Sequence, residues 1–234
     1  MSSIPLPSPP QSVLKTVIVM DYQNVHLTGS LMYFPDDAAH LHLIHPVNFA
    51  NRLLSVRNGK QEAGRPHAKL LRVEVHRGLP DATVEPRKNA WNIANSISWK
   101  LSSPLVEVHT KPLKYEYLRD ALGRKCRDVN GKFMIDANSK PQEKGVDVQC
   151  ALAVVLAAMD PKVDLVILAS RDTDLIPALD AAYDLPTTKI ETTSWAYSDG
   201  RKYAGNLRPT PPRRMWNTAL NEVDYVASED KGSY

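Results

Sequence analysis

A chain of 234 residues, 43% hydrophobic and 24% charged, is long enough for one large domain with a substantial core and too short for two roomy ones. Its 29 basic and 26 acidic residues leave a net charge of +3, too mild to name a partner by itself, and two cysteines, Cys126 and Cys150, make neither a disulfide framework nor a cysteine-built zinc site. The longest apolar run, residues 150–159, is far below membrane-spanning length, and the start "MSSIPLPSPPQSVLK" has Pro and Ser where a secretory leader needs charge and then an apolar block. A cytoplasmic protein with no membrane partner is expected.

Taken in chain order, residues 1–13 read as a disordered tail, and a single domain follows over 14–195. Short runs rich in Val, Ile and Leu at 15–21, 69–75, 106–110, 164–170 and 188–193 read as buried strands. Helical patterns lie between and after them, at 46–56, 87–100, 146–159, 175–183 and 216–226. The strand–helix alternation predicts right-handed crossovers and a three-layer α/β/α fold on a mostly parallel sheet of about five strands. Residues 111–141 are too long for a connection and read as an insertion, a β-hairpin near the carboxyl edge of the sheet. No internal repeat stands out. Residues 196–234 read as a basic extension ending in the last helix. The alternating "HLHLIH", His40 to His45, is read as a strand or loop edge in preference to a metal site.

Charge distribution says more than net charge. Arg201, Lys202, Arg208, Arg213 and Arg214 fall within one stretch free of acids, and Arg119, Arg124, Lys125, Arg127 and Lys132 outnumber Asp120 and Asp128 in another. Two such runs point to a polyanion partner, with Arg213 and Arg214 as substrate-binding residues.

The acids cluster differently. "TVIVMDYQN" carries a strand into Asp21, and "LVILASRDTDLIPALDAAY" carries another into Asp172 and Asp174. Carboxyl ends of parallel strands are where loops converge over a crevice, and if the first and fourth strands are neighbours the two carboxylates stand roughly 5 Å apart. Asp174 also reads as an N-cap, with Pro177 in the first turn beyond it. A close pair of unpaired carboxylates is most simply explained by a bound cation. The third acid, Asp147, opens a helix so apolar that almost every face is expected to be buried; it either complements the helix dipole or faces the same crevice, with Lys144 one turn before it.

Together "VIVMDYQNV", "KGVDVQCALAVVL" and "VILASRDTDLIPAL" resemble the NYN family of PIN-like nucleases, whose motifs run roughly D-x-x-N, K-G-V-D and S-G-D-x-D-F in the same order. The resemblance spans residues 17–195 and implies a PIN-like sheet and Mg2+- or Mn2+-dependent cleavage of RNA. Carried over, Asp21, Asp147 and Asp172 match the acidic metal-binding site, Asp174 its fourth member, and Asn24 the polar partner of the first strand. Arg171 stands where the family has Gly, and Leu175 where it has an aromatic.

Hydrolysis of a phosphodiester needs an activated water and neutralisation of an anionic transition state, which hard cations on carboxylates supply. Asp21 and Asp172 are expected as direct ligands, Asp147 as a ligand directly or through water, and Asp174 as an outlying or second-metal residue. Asn24 would hold a ligand or a phosphate, and Lys144 and Arg171 would touch the scissile phosphate. The rival expectation is a non-catalytic RNA- or protein-binding module on the same fold, and a homodimer fits either. An aspartyl-phosphate phosphatase is disfavoured, because "DYQNV" has no second Asp two residues after Asp21.

Overall fold

The computed structural model describes residues 13–136, 138–197 and 206–232. The tail expected at the N-terminus, apart from Val13, and the basic residues Arg201 and Lys202 lie outside the described residues.

Among the described residues six strands, all parallel, form one sheet in the order β3-β2-β1-β4-β5-β6. They are β1 (Leu14–Asp21), β2 (Ala68–Leu79), β3 (Val106–Pro112), β4 (Leu165–Ala169), β5 (Lys189–Trp195) and β6 (Trp216–Leu220). The helices are α1 (Tyr22–Tyr33), α2 (Pro46–Gly59), α3 (Pro86–Ser102), α4 (Val146–Met159), α5 (Ile176–Tyr183) and α6 (Glu222–Val226). The side-chain alternation of β1 divides the core. Ile18 and Met20 pack with residues of α1, α2 and α3 and with Tyr225 of α6, whereas Val17 and Val19 pack with α4 and α5. The expected three-layer α/β/α architecture is therefore present, with six strands instead of about five.

The sixth strand comes from the segment expected to be a helix over 216–226. Trp216 to Leu220 alternates, burying Thr218 and Leu220, and pairs with β5. Asn221 then starts a new element: its side chain accepts from the Asp224 amide at 3.2 Å, while Asp224 accepts from the Asn221 amide at 2.8 Å, a reciprocal cap that makes α6 a separate short helix. Helix α1 has no clear signal in the sequence, because "YQNVHLTGSLMY" is rich in weak helix formers. It is held by the Asp21 cap and by burial of Tyr22, Val25 and Met32.

Helix α4 packs through Val146, Cys150, Ala153, Val154 and Ala157, and it leaves Val148, Leu152, Leu156 and Met159 exposed along one side. The expectation that almost every face is buried is corrected: the sheet covers one side of a helix that is apolar all round. Deep on the opposite face of the sheet, Arg57 of α2 donates to both carboxylate oxygens of Glu191 in β5, at 3.0 and 2.9 Å, with both side chains essentially inaccessible.

The insertion is more regular than a hairpin. Its neck closes where Lys114 and Gln142 exchange backbone hydrogen bonds of 2.8 and 2.9 Å. Above the neck, Leu118 donates to Met134, Met134 to Cys126 and Cys126 back to Leu118, at 2.9, 3.0 and 2.8 Å. Antiparallel bridges Arg119–Lys125, Arg127–Phe133 and Ile135–Tyr117 repeat the same pattern eight residues apart. Each corner turns on an aspartate: Asp120 accepts from the Leu122 and Arg124 amides, Asp128 from Asn130 and Lys132, and Asp136 from Asn138. The knob is thus a three-fold octad repeat, faint in the sequence because only the Asp, a Gly two times in three, and a basic residue recur.

Candidate functional site

Strand order locates the crevice. From β1 the chain moves outward through β2 and β3, then returns to the other side of β1 as β4, so the loops leaving β1 and β4 diverge at their carboxyl ends. Asp21 is the last residue of β1 and lies on the α4 side with Val17 and Val19. Immediately beyond β4 come Ser170, Arg171 and Asp172.

A short hydrogen-bond network ties these two loops together. Ser170 Oγ donates to Asp21 Oδ2 at 3.0 Å and accepts from the Asp172 amide at 3.1 Å. Asn24 accepts from the Arg171 amide at 3.0 Å through Oδ1, while its own amide donates to Asp21 Oδ1 at 3.3 Å. Asn24 is therefore a bridge between the first and fourth loops. Asp21 caps α1 by the same bond, and Asp172 caps the 3-10 turn before α5 by accepting from the Asp174 amide at 3.0 Å. The cap expected at Asp174 thus belongs to Asp172, and Asp174 is exposed on the turn.

Asp147 enters from a third element. Gly145 ends the knob's return path in the left-handed region, φ 81°, a conformation that favours glycine, and the chain then turns straight into α4 with Asp147 in its first turn. Glu143, which carries no signal in the sequence, is pulled in by the same path. Its carboxylate accepts from the Gly78 amide at the end of β2, and the approach is so tight that a Cβ at Gly78 would stand 2.5 Å from Glu143 Oε1 and 2.3 Å from Leu113 Cδ2.

These groups act on one another electrostatically. Burial raises the Asp21 pKa; the Asn24 and Ser170 hydrogen bonds oppose this, and the charge of Asp172 adds to it. Burial likewise raises Glu143, with Asp21 and Asp147 adding to the effect and Arg77 opposing it. The Cys150 thiol on α4 is pushed far up by burial and then by Asp21, Glu143, Asp147 and Asp172 together. Four carboxylates from three chain segments thus act together on Cys150 in the first turns of α4. Arg77, buried over the rings of Tyr22 and Trp99 at 4.8 and 5.3 Å, is an internal counter-charge to Glu143, and His76, in register with Asp21, acts likewise on Asp21.

Other expected site residues fall elsewhere. Lys144 is exposed beside Glu143, where the knob returns to α4, and Arg171 is half-buried between Ser170 and Asp172. Arg213 and Arg214 precede β6, at the amino edge of the sheet and opposite the acids; Arg213 is held by both oxygens of Asp184 at 2.9 and 2.6 Å. They do not join the cluster. His42 of "HLHLIH" is occupied by Asp37 and Glu229 at 2.9 and 2.8 Å and stacks on Phe34.

The knob carries the other basic run. Lys125 Nζ lies 4.0 Å from the Tyr117 ring centroid, and the Arg127 guanidinium lies 3.7 Å from that of Phe133. Lys132 reaches the Thr83 carbonyl. Since β3 enters the neck and α4 leaves it, this cation–aromatic surface is joined to the edge of the sheet that holds the acids.

A second group that could hold a metal ion, next to Asp21 through the register of His76 with it, is formed by Glu74 and His76 of β2 and His109 of β3, whose ligand atoms all lie within 4.8 Å of one another. Among the described residues it is the one such three-residue group; the aspartates approach without closing to that degree.

No family model matches the chain, and no curated protein matches it either. A crystal structure of a protein of unknown function from Vibrio parahaemolyticus RIMD 2210633 is similar over 83% of this chain and 87% of that one, at 16% identity and a TM-score of 0.40. No activity comes with that likeness.

Proposed function

We propose that the chain is a metal-dependent ribonuclease acting at the β1/β4 crevice. The observation that carries this reading is the convergence of Asp21, Glu143, Asp147 and Asp172 around the start of α4, where their fields act together on Cys150. Folding like charges together is unfavourable without a counter-cation, and burial of Asp21 increases the cost. The donor set is all carboxylate oxygen, which suits a hard divalent cation better than a soft one.

Asp21 and Asp172 would hold Mg2+ or Mn2+, with Asp147 directly or through water. Bound there, such a cation supplies charge neutralisation and a more acidic water for attack on phosphorus. The protein's own part is positional. Ser170 fixes the Asp21 carboxylate, and Asn24 locks the Arg171 backbone so that the loop after β4 presents Asp172 to the same crevice. The basic knob and Lys144 would hold the polyanion, cations contributing attraction and the Tyr117 and Phe133 rings a stacking surface for unpaired bases.

One observation favours a second reading, a nucleic-acid-binding module without catalysis: Asp21 and Asp172 already serve as helix caps, a sufficient structural reason for both. The deciding experiment incubates the purified chain with labelled single-stranded, hairpin and transfer RNAs, with Mg2+, with Mn2+ and with chelator. Metal-dependent cleavage supports the nuclease; binding without cleavage under every condition replaces it with the module.

A further inference from the structure

The strands β2 and β3 each contain the tetrapeptide VEVH, and the sheet aligns the two copies residue for residue: Val73 with Val106, Glu74 with Glu107, Val75 with Val108, His76 with His109. Registered partners in a parallel pair share a face. The valines Val73, Val75 and Val106 enter the core beneath α3, so both Glu-x-His pairs emerge on the opposite face, toward α4.

On that face the two imidazoles stack on each other, ring centroids 4.8 Å apart, yet are short of hydrogen-bond partners. The His76 side chain is only 5% exposed, yet neither ring nitrogen makes a hydrogen bond, and His109 Nε2 is also shielded and unpartnered. Leaving a buried polar group unsatisfied is unfavourable, so two orphaned nitrogens on one enclosed imidazole need a physical reason. The spacings supply one. His76 Nε2 is 3.9 Å from Glu74 Oε2 and His109 Nε2 is 3.7 Å from Glu107 Oε2, both too long for hydrogen bonds. Two ligands of one tetrahedral ion, each about 2.0–2.1 Å from it, stand roughly 3.3 Å apart, so side-chain rotations would bring Glu74, His76 and His109, whose ligand atoms all lie within 4.8 Å of one another, onto a shared ion.

We propose that Glu74, His76 and His109 form a binding site for a divalent transition metal of the Zn2+ class, clamping the edge strand β3 to β2. Imidazole ligands select zinc-like ions over magnesium, which separates this centre from the all-carboxylate crevice. Arg72 provides outer support: its Nε donates to Glu74 Oε1 at 2.6 Å, which orients the carboxylate and leaves Oε2 facing His76. His109 and Glu107 are about half exposed, so an ion can enter from that side and retain a water, and Glu107 stands ready as a fourth ligand.

The proposal does not rest on the nuclease reading, although His76 stands in register beside Asp21, and its test reads metal directly. The full chain without an affinity tag is stripped with chelator and titrated with Co2+, whose visible bands report four-coordinate N/O ligation, then challenged with Zn2+. One equivalent bound, displaced by Zn2+, with a Zn2+-induced rise in melting temperature, is the expected result for the native chain. His109→Gln, at the half-exposed edge, should lower affinity tenfold or more and remove the thermal shift; His76→Gln should do the same if it folds. Arg213→Ala, at the amino edge on the far side of the sheet, should leave all three readouts unchanged. The proposal is overturned by native-strength Co2+ binding in His109→Gln, or by absence of the bands in the native chain.

Discussion

Ser170 donates its hydroxyl hydrogen to Asp21 Oδ2 at 3.0 Å, so the first residue after β4 holds the last residue of β1. Because the same oxygen accepts from the Asp172 amide, one serine sets the separation of two acids that no backbone hydrogen bond of the sheet would fix. The relationship stabilises the ionised form of Asp21 against a burial that disfavours it.

Asp21→Asn should abolish Mg2+-dependent cleavage and raise the melting temperature of the metal-free protein at neutral pH. A carboxyl whose folded pKa is raised binds its proton more tightly when folded. It therefore favours the fold at low pH, and that contribution is lost as pH climbs from near 3.8 through the raised value. The asparagine variant should lack this decline in stability, as thermal melts from acid to neutral pH without metal would show. Retained metal-dependent cleavage would remove Asp21 from the site.

Asp147→Asn separates a helix-dipole role from a ligand role. A dipole contribution alone predicts a loss of about 0.3–1 kcal/mol with metal affinity unchanged. Membership in the cluster predicts weaker Mg2+ binding and slower cleavage with little stability lost, since the variant deletes a charge that acts on Glu143 and Cys150. The second outcome is expected, and calorimetric Mg2+ titration alongside chemical denaturation distinguishes them.

The two basic regions should behave differently toward RNA. Replacing Lys125 and Arg127 by Ala should weaken single-strand binding and reduce the slope of log affinity against log salt by about 0.7 for each phosphate no longer neutralised. Arg213→Ala should leave the slope alone, because that guanidinium is committed to Asp184 at the far edge of the sheet. Anisotropy titrations across a range of salt concentrations read both.

Glu191→Ala should be among the most destabilising single changes, on the order of 3–5 kcal/mol, because it strands the Arg57 guanidinium in the core. Replacing Arg57 by Met and Glu191 by Leu together should recover much of that loss. Urea denaturation of the three variants checks the expectation, and near-native stability of Glu191→Ala would contradict it.

The sheet was legible where burial on both faces leaves continuous apolar runs: the first five strands and the long helices α2 to α5 follow that pattern. Helix α1 was hidden because its stability comes from Asp21 and tertiary packing rather than propensity, and β6 because a strand and a capped helix abut at Asn221 and together imitate one amphipathic helix. At the site, Asp21, Asn24, Asp147 and Asp172 stood out by position after strands or before a helix. Glu143 had no such signal, as it reaches the cluster through the close approach permitted at Gly78, 65 residues away in sequence. The paired histidines were visible only as a repeated VEVH, whose meaning depends on strand adjacency and register.

The three-fold knob has an implication for how this chain can vary. Surface loops ordinarily tolerate changes of length, since closure entropy grows slowly with loop size. Here each octad donates to one neighbour and accepts from the other until the circle closes at Leu118 and Met134. A fourth octad would have no free edge to pair with, and loss of one would leave two unsatisfied edges facing solvent. The insertion therefore behaves as a quantised unit, present whole or replaced whole, while its corner residues Ala121, Leu122, Val129 and Asn130 are free to change without disturbing that closure.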